Sequence, residues 1–470
     1  MNTFSKLGFI LATLGSSIGL GHIWRFPYMA GQMGGGAFVL LFLVLALVIG
    51  ASLLITDMII GNRGKKDVVG CFETLDPSPK KPWRFAGIAI IGGPLILSFY
   101  AVILGWILYY FVAISFNLPS NMFLSKWAFN ELMSERIWCQ VLGLFACLFI
   151  TALIVSLGIK DGIEKLNLVL MPLLFIIFIG LLIYAAFQPS FMQAVHFLFD
   201  FKYEDVNASV FMEALAQMFF SLSLGVGTII TYAAVSQEKQ NFLASALWVV
   251  IPGIIISLVA GLIIFTFYFG YDGSLGSDGD RGINLVFISL PLIFSEFGAV
   301  GQILCLAFLG ALLFAGITST ISLLEPSVMY LTQRRGVSRA KASFWVSAVV
   351  FVLGLFAIHS FSSNHIHNLQ NLQTPLLITT DKHSIFFWLN TLMQYNNPAF
   401  FWLDYLTAKI IMPLSALASI IFLGYVIKED TLRGFTHGFL NPTAFGVWYF
   451  IIRYIAPLVI VAVFIFKFFE

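Results

Sequence analysis

Hydroxyl side chains stand beside clusters of glycine in two apolar stretches of this chain. Residues 15–21 read Gly-Ser-Ser-Ile-Gly-Leu-Gly and carry Ser17, while residues 220–225 read Phe-Ser-Leu-Ser-Leu-Gly and carry Ser221 and Ser223. Glycine is a poor helix former, so both stretches are predicted to interrupt a helix. An interrupted helix leaves backbone N–H and C=O groups free, and these groups bind ligands together with the neighbouring hydroxyls.

A third apolar stretch adds Thr318 and Ser319 to this set of oxygen donors. Hydroxyl and carbonyl oxygens are the ligands that a hard cation such as Na⁺ prefers. The positive ends of two half-helices suit a carboxylate. Serine and threonine in membrane helices also often bond to the carbonyl of the preceding turn, which is the alternative interpretation. Hydroxyls beside two helix breaks favour a site for a small anion and a cation.

The two interrupted stretches lie inside apolar runs, residues 7–33 and 208–235, that are long enough to cross a bilayer. Open backbone at membrane depth is tolerated only where it is buried in protein or lines a cavity. Two broken spans at corresponding places in two halves of a chain indicate a transporter with its site at the bilayer midplane.

Ionisable and helix-breaking residues within the apolar runs are further candidates. Arg25 and Asp404 are expected either to pair as an external gate or to reach the outer headgroups. Asp57 either holds the unwound backbone or is a structural carboxylate. Gly162, followed ten residues later by Pro172, marks either a hinge in the fifth span or an ordinary kinked helix start.

The hydropathy pattern predicts an all-α integral membrane protein with eleven transmembrane helices. The chain is read as one transporter domain, residues 1–470, with a first repeat at 1–188, a second repeat at 208–427 and an extra span at 442–467. The predicted spans are 7–33, 36–61, 85–115, 137–158, 164–187, 208–235, 241–270, 299–331, 342–359, 399–427 and 442–467.

Charge and composition set the orientation and exclude other classes of protein. A cytoplasmic N-terminus puts sixteen lysines and arginines on the inner side and six on the outer side, as the positive-inside rule requires, and an odd number of spans then puts the C-terminus outside. The chain is 59% hydrophobic and 10% charged, which excludes a soluble protein, and its net charge of +2 gives no indication of nucleic-acid binding. Paired acidic residues or metal motifs on neighbouring spans, which a membrane enzyme needs, are not evident, so no enzymatic activity is expected.

Several motifs resemble the neurotransmitter:sodium symporter family, in particular its bacterial eleven-span type. The resemblance covers nearly the whole chain and implies the bacterial leucine-transporter fold, a five-plus-five inverted repeat with broken helices 1 and 6. The motifs are Gly19-Leu20-Gly21-His22-Ile23-Trp24-Arg25-Phe26-Pro27, Gly34-Gly35-Gly36-Ala37-Phe38, Gly162…Pro172, Gln217-Met218-Phe219-Phe220-Ser221-Leu222-Ser223-Leu224-Gly225 and Ala315-Gly316-Ile317-Thr318-Ser319.

The resemblance also implies roles for individual residues. The family's second sodium site corresponds to the carbonyls of Gly15, Ile18 and Ala315 and the hydroxyls of Thr318 and Ser319. Tyr100 is expected to donate its hydroxyl to a substrate carboxylate, Phe220 to cover the pocket, and both to form the gate with Arg25 and Asp404. The implied substrate pocket comprises Ser17, Gly19, Leu20, Gly21, Ile96, Tyr100, Phe220, Ser221, Ser223, Val226, Ser319 and Leu323.

The sequence departs from the family pattern at two ion sites. His22 and Gly253 replace the side-chain amide or carboxylate ligands of the first sodium site, which predicts that this site does not bind sodium. Either His22 stands in for the ion beside the substrate carboxylate, as a neutral donor or an imidazolium, or it only fills space and bonds a carbonyl. Phe42 replaces a tyrosine of the chloride site, although Gln217 and Ser257 are present, so chloride dependence stays open.

These residues predict a sodium-coupled secondary transporter that imports an amino acid by alternating access. Gly19 stands where members that carry monoamines have an aspartate, so the substrate is expected to bring its own carboxylate. Ile96, Val226 and Leu323 favour a neutral, apolar side chain. The alternatives are a proton-coupled or mixed-ion transporter that uses His22, and a solute-sensing receptor on the same fold. The expected location is a plasma membrane, the inner membrane of a bacterium, with the protein as a monomer or a homodimer.

Overall fold

The computed structural model describes residues 3–271, 284–370 and 398–469, and every regular element in these ranges is a helix. The helices of predicted spans 1 to 5 and their connections are Lys6–Ser17, Gly21–Arg25, Phe26–Gln32, Gly36–Leu45, Ala46–Gly50, Ala51–Gly64, Val68–Leu75, Pro82–Ile91, Gly92–Ile114, Met122–Ser134, Ile137–Ser156, Ile159–Glu164, Lys165–Ala186 and Phe191–Phe199. The later elements are Tyr203–Asp205, Ala208–Ser221, Thr228–Ala234, Phe242–Phe269, Leu285–Ser289, Leu290–Ser295, Gly298–Arg335, Arg339–Gln370, Pro398–Leu406, Thr407–Ile411, Met412–Ile421, Phe422–Val426, Glu429–Thr436, Pro442–Phe450, Ile451–Ile455 and Ala456–Phe469.

The structure agrees with an all-α membrane protein. Among the described residues, eight helices are long and apolar enough to cross a bilayer, or ten when each of two bent pairs counts as one span. The predicted sixth span is not in that count because its longer half, Ala208–Ser221, has only 14 residues. The number of eleven therefore stays a prediction, as do the boundaries of the two repeats.

Span 1 is broken where its glycines predicted. Ser5 caps the first half by accepting a hydrogen bond from the Gly8 N–H at 2.9 Å, and this half, Lys6–Ser17, ends at Ile18, whose backbone is extended. The second half runs from Gly21 to Gln32 at an angle of 49° to the first. The backbone between them is open in the middle of the span.

Span 6 is broken over residues 222–227, between Ala208–Ser221 and Thr228–Ala234. Ser223, Gly225 and Gly227 have positive φ angles of 50°, 78° and 78°. A Cβ atom on Gly225 would overlap the carbonyl oxygen of Met412, so only glycine fits at this position. Ser223 is one of three non-glycine residues with positive φ among the described residues, and such strain often marks a functional site.

The broken spans lie within a bundle whose outer helices face the lipid. Span 3 packs closely on span 4 through two glycines: a Cβ on Gly105 would lie only 2.8 Å from the backbone of Gly143. Leu142 and Phe149 on span 4 and Ile176 on span 5 are exposed on the periphery, as expected for residues that contact acyl chains. The polar residues of the broken spans are therefore shielded from lipid.

Ion pairs join spans 2, 8 and 9 at one end of the bundle. Glu325 of span 8 is fully buried and forms a bidentate salt bridge with Arg339 of span 9, with N–O distances of 3.0 and 2.6 Å. Arg334 bridges Asp67 at 3.2 Å and Glu73 at 2.6 Å on the connection after span 2. The hydrogen bond from Arg334 lowers the pKa of the Glu73 carboxyl below its usual value. These contacts tie spans 2, 8 and 9 together on one side.

Candidate substrate and sodium site

The two helix breaks meet and are joined by a reciprocal pair of hydrogen bonds. The hydroxyl of Ser17 donates to the carbonyl of Ser221 at 2.9 Å. The hydroxyl of Ser223 donates to the carbonyl of Ser16 at 2.7 Å. Each break thus uses a serine to satisfy a freed carbonyl of the other, and the two broken spans form one unit.

A small cavity lies where the breaks meet, with about 30 Å³ available to the centres of water-sized molecules. Counting His22, eleven of the thirteen residues predicted to bind substrate line it, and the other two, His22 and Ser221, are hydrogen-bonded to the lining residue Ser17. Ser16 and Met412 were not predicted; Ser16 could have been found as a hydroxyl within the first glycine cluster, whereas no sequence signal marks Met412. The lining residues are Ser16, Ser17, Gly19, Leu20, Gly21, Ile96, Tyr100, Phe220, Ser223, Val226, Ser319, Leu323 and Met412.

The polar end of the cavity is built around Tyr100. Its hydroxyl accepts a hydrogen bond from the backbone N–H of Leu20 at 3.1 Å. A Cβ on Gly19 would lie 2.8 Å from this hydroxyl and would overlap Ser319 Oγ. Gly19 therefore keeps room for the tyrosine hydroxyl. The same hydroxyl is also hydrogen-bonded to the hydroxyl of Ser319.

The predicted sodium ligands of spans 1 and 8 come together beside this cavity. The Ser319 hydroxyl lies 3.5 Å from the carbonyl oxygen of Gly15. Thr318, one turn after Ala315, donates its hydroxyl to the Ala315 carbonyl at 3.0 Å. Ile18 lies in the break itself. The donor set consists of oxygen atoms only, and both hydroxyl residues are buried, so the chemistry of the cluster fits a sodium ion.

His22, which together with Gly253 replaces the side-chain ligands of the family's first sodium site, lies against Gly253. Its Nδ1 lies 3.0 Å from the carbonyl of Ser17 and must carry a hydrogen there, since a carbonyl only accepts. A Cβ on Gly253 would lie 2.8 Å from His22 Nε2. The imidazole ring thus takes the room that a side chain at position 253 would need.

Gln217 uses its amide nitrogen within the first and sixth spans. That nitrogen donates to the Gly21 carbonyl and to the Ser221 hydroxyl, both at 2.8 Å. Phe42 packs against Phe26 with ring centroids 5.0 Å apart and offers no hydroxyl. A chloride ion would need donors that are here engaged or missing, apart from Ser257, whose hydroxyl is buried without a partner.

The predicted external gate is only partly assembled. The guanidinium of Arg25 lies over the ring of Phe220, 4.9 Å from its centroid, and its Nη1 is buried without a partner. Asp404 is half-buried and is not within salt-bridge distance of Arg25. The pairing of these two residues stays a prediction, while Arg25 and Phe220 already lie together at the cavity.

The three predicted structural residues lie away from the cavity. Asp57 is buried beside the hydroxyl of Ser419 on span 10, rather than at the open backbone of span 1. Gly162 sits in a wide helical turn, Ile159–Glu164, which runs directly into Lys165–Ala186, where Pro172 is accommodated. Span 5 is therefore continuous in this structure, and its role as a hinge stays a prediction.

Sequence reasoning missed the contacts made by Phe4 and Ser5 at the N-terminal end of span 1. Glu164, at the start of span 5, is buried and accepts hydrogen bonds from the N–H and the hydroxyl of Ser5. The N–H of Phe4 donates to the Val235 carbonyl at 3.0 Å. The Phe4 ring meets the ring of Tyr232 edge-on, 5.4 Å away. These contacts hold the inner halves of spans 1, 5 and 6 together.

Comparisons with known proteins agree with this architecture. The crystal structure of MhsT in complex with L-phenylalanine matches with a TM-score of 0.83 and 31% identity over 99% of both chains. An uncharacterized sodium-dependent transporter of Bacillus subtilis, YhdH, is 32% identical over 98% of this chain and 96% of its own. The sodium-dependent nutrient amino acid transporter 1 of Drosophila yakuba is 25% identical over 75% of this chain and 65% of its own.

A family model supports the same assignment. The model described as the sodium:neurotransmitter symporter family matches residues 2–142 and 134–380, which is well over half of the chain. The fold match to MhsT covers the breaks, the cavity and the oxygen cluster described above. The chain is therefore a multi-pass membrane protein of the sodium:neurotransmitter symporter family, whose members are secondary transporters and not enzymes.

Proposed function

We propose that this protein is a sodium-coupled symporter that imports a neutral amino acid with an apolar side chain. The observation that carries the proposal is the pair of helix breaks, joined through Ser17 and Ser223, that lines a cavity beside an all-oxygen cluster. The MhsT structure contains L-phenylalanine, and the Drosophila relative is named an amino acid transporter, which supports this class of substrate.

The cavity offers different chemistry at its two ends. At the polar end, the Tyr100 hydroxyl and free backbone groups of the first break are placed to bind the carboxylate. At the apolar end, Ile96, Val226, Leu323 and Met412 are placed to contact the side chain.

Sodium would be held by the carbonyls of Gly15, Ile18 and Ala315 and the hydroxyls of Thr318 and Ser319, and it would supply positive charge that links spans 1 and 8. The ring of Phe220, which lies under the guanidinium of Arg25, closes the cavity towards the external side. The Ser5–Glu164 contact closes the cytoplasmic side. Alternating access then requires these two closures to open in turn. We place the N-terminus in the cytoplasm and the C-terminus outside, in a bacterial inner membrane, on the charge distribution of the loops.

A second candidate keeps the fold and changes the driving ion. His22 fills the space beside Gly253 and bonds the carbonyl of Ser17, so a proton on its ring could replace the first ion. Imidazole titrates near pH ~6.5 when unperturbed, which would make transport depend on pH. Uptake measured against pH for the wild type and for His22→Asn tests this candidate, and identical profiles would eliminate it.

The main experiment measures uptake of radiolabelled amino acids by proteoliposomes under an inward sodium gradient. We expect concentrative, saturable uptake of an aliphatic or aromatic amino acid that is lost when K⁺ replaces Na⁺ and in Ser319→Ala. Binding of amino acid without any concentrative uptake would instead indicate a receptor. Replacing chloride with gluconate in the same assay determines whether chloride is needed.

A further inference from the structure

Asn167 on span 5 presents a buried oxygen atom that has no partner. The residue is 1% exposed. Its amide nitrogen donates to the carbonyl of Ile163, one turn earlier, at 2.8 Å. Its Oδ1 has no hydrogen-bond partner. A buried polar atom without a partner is uncommon in a folded protein and calls for a ligand or another physical explanation.

The hydrogen bond of the Asn167 amide nitrogen sets the direction in which the Asn167 Oδ1 points. Only the nitrogen can donate to the Ile163 carbonyl, so Oδ1 must point away from its own helix. It points at span 1, where an ideal Cβ on Gly15 would overlap it. The same Cβ position lies 3.3 Å from Thr318 Cβ. Asn167 Oδ1 therefore lies against Gly15, on the side of span 1 that faces Thr318 of span 8.

The neighbouring hydroxyls do not satisfy this oxygen. Thr318 donates its proton to the carbonyls of Ala315 and Phe314, at 3.0 and 3.2 Å. The Ser319 hydroxyl lies 3.5 Å from the carbonyl of Gly15 and is also hydrogen-bonded to the hydroxyl of Tyr100. Neither hydroxyl is paired with Asn167 Oδ1, so this oxygen stays an acceptor in a cluster of carbonyl and hydroxyl oxygens, and a cation suits such a cluster.

We propose that Asn167 Oδ1 is an additional ligand for the cation held by Gly15, Ile18, Ala315, Thr318 and Ser319. This inference rests on the proposed sodium-coupled function and adds a third helix, span 5, to its ion site. Span 5 also holds span 1 through the Ser5–Glu164 contact. Departure of the cation therefore removes a polar link between spans 1 and 5 and leaves the Ser5–Glu164 contact, and this loss favours opening of the cytoplasmic side.

The test measures sodium binding rather than transport. The full-length protein in detergent is unfolded thermally at increasing NaCl concentrations, with choline chloride keeping the ionic strength constant and no amino acid present. A ligand that binds the folded state raises the unfolding temperature as its concentration passes the dissociation constant. The sodium concentration at half of the full temperature shift reports the affinity of the site.

Asn167→Thr is the informative variant. Threonine can keep the bond to the carbonyl of Ile163, as Thr13, Thr56 and Thr151 do with the carbonyl four residues earlier, at 2.7 to 2.8 Å. It removes only the oxygen directed at Gly15. We expect the half-point for sodium to rise about tenfold, as when a group that supports a metal site is lost.

A matched control and a second variant keep the result interpretable. Asn62→Thr alters another buried asparagine, whose nitrogen is bonded to Ser236 Oγ at 2.9 Å, and should leave the sodium half-point unchanged. Asn167→Asp keeps an oxygen and adds a negative charge, so its half-point should fall below that of the wild type. If the threonine variant does not purify, this variant decides the question alone, since an unchanged or raised half-point there contradicts the inference.

The outcomes separate this inference from the proposed function. A sodium half-point that is unchanged in Asn167→Thr and raised in Ser319→Ala overturns the role of Asn167 and leaves the sodium site intact. A wild type that sodium does not stabilise at all contradicts the proposed function, and the inference fails with it.

Discussion

At the scale of single residues, His22 and Gly253 share one space between spans 1 and 7. A Cβ on Gly253 would lie 2.8 Å from His22 Nε2, so a side chain at position 253 needs a smaller residue at position 22. We expect Gly253→Asn alone to lower the free energy of unfolding by about 1–3 kcal/mol through overpacking. The double variant His22→Asn with Gly253→Asn should recover most of that loss in thermal unfolding. Equal losses in the single and double variants would show that the two positions are independent.

Tyr100 carries a second prediction at this scale. Tyr100→Phe removes the hydroxyl at the polar end of the cavity, and amino-acid affinity should fall about tenfold or more, as expected for a lost hydrogen bond to a charged group. Binding is measured as thermal stabilisation by the amino acid. Tyr110→Phe is the control, because the Tyr110 hydroxyl lies on the same helix and is buried without a partner. Similar losses of affinity in both variants would contradict the assigned role of Tyr100.

At the scale of helices, the break in span 6 depends on Gly225. Its φ of 78° and the overlap of any Cβ with the Met412 carbonyl leave no room for alanine. Gly225→Ala should therefore destabilise the protein by more than about 1 kcal/mol. Gly180→Ala, within helix Lys165–Ala186 and with nothing near its Cβ position, should instead be stabilising by about 0.5–1 kcal/mol. Thermal unfolding of both variants checks this, and a neutral Gly225→Ala would mean that the break can relax.

At the scale of the whole molecule, the proposed closure of the cytoplasmic side involves a contact between spans 1 and 5. Glu164→Ala removes the carboxylate that holds Ser5, so the first turn of span 1 should open more often. Hydrogen–deuterium exchange of peptides from residues 4–14 should become faster, and sodium should slow it again. Asp161→Ala, in the same turn but with an exposed carboxylate bonded to Lys165, is the control. Equal exchange rates in the wild type and in both variants would show that the Ser5–Glu164 contact does not help to close this side.

The sequence could predict the features that depend on local composition. Apolar runs define a helical membrane protein because a bilayer admits few other structures. Glycine clusters located both breaks, since glycine weakens a helix wherever it stands. Eleven of the cavity-lining residues were predicted in this way and through family motifs. The pairing of Arg25 with Asp404 was predicted by the same reasoning and is not formed in this structure.

Only the tertiary structure decided which distant atoms meet. The bonds from Ser17 to Ser221 and from Ser223 to Ser16 join residues 204 and 207 positions apart, and the aim of Asn167 depends on how span 5 rotates against span 1. Local preferences establish where a helix starts and stops, but its rotation and depth are set by packing with every neighbouring helix at once. The chemistry of the site was therefore readable from residue types, while its geometry came from the fold.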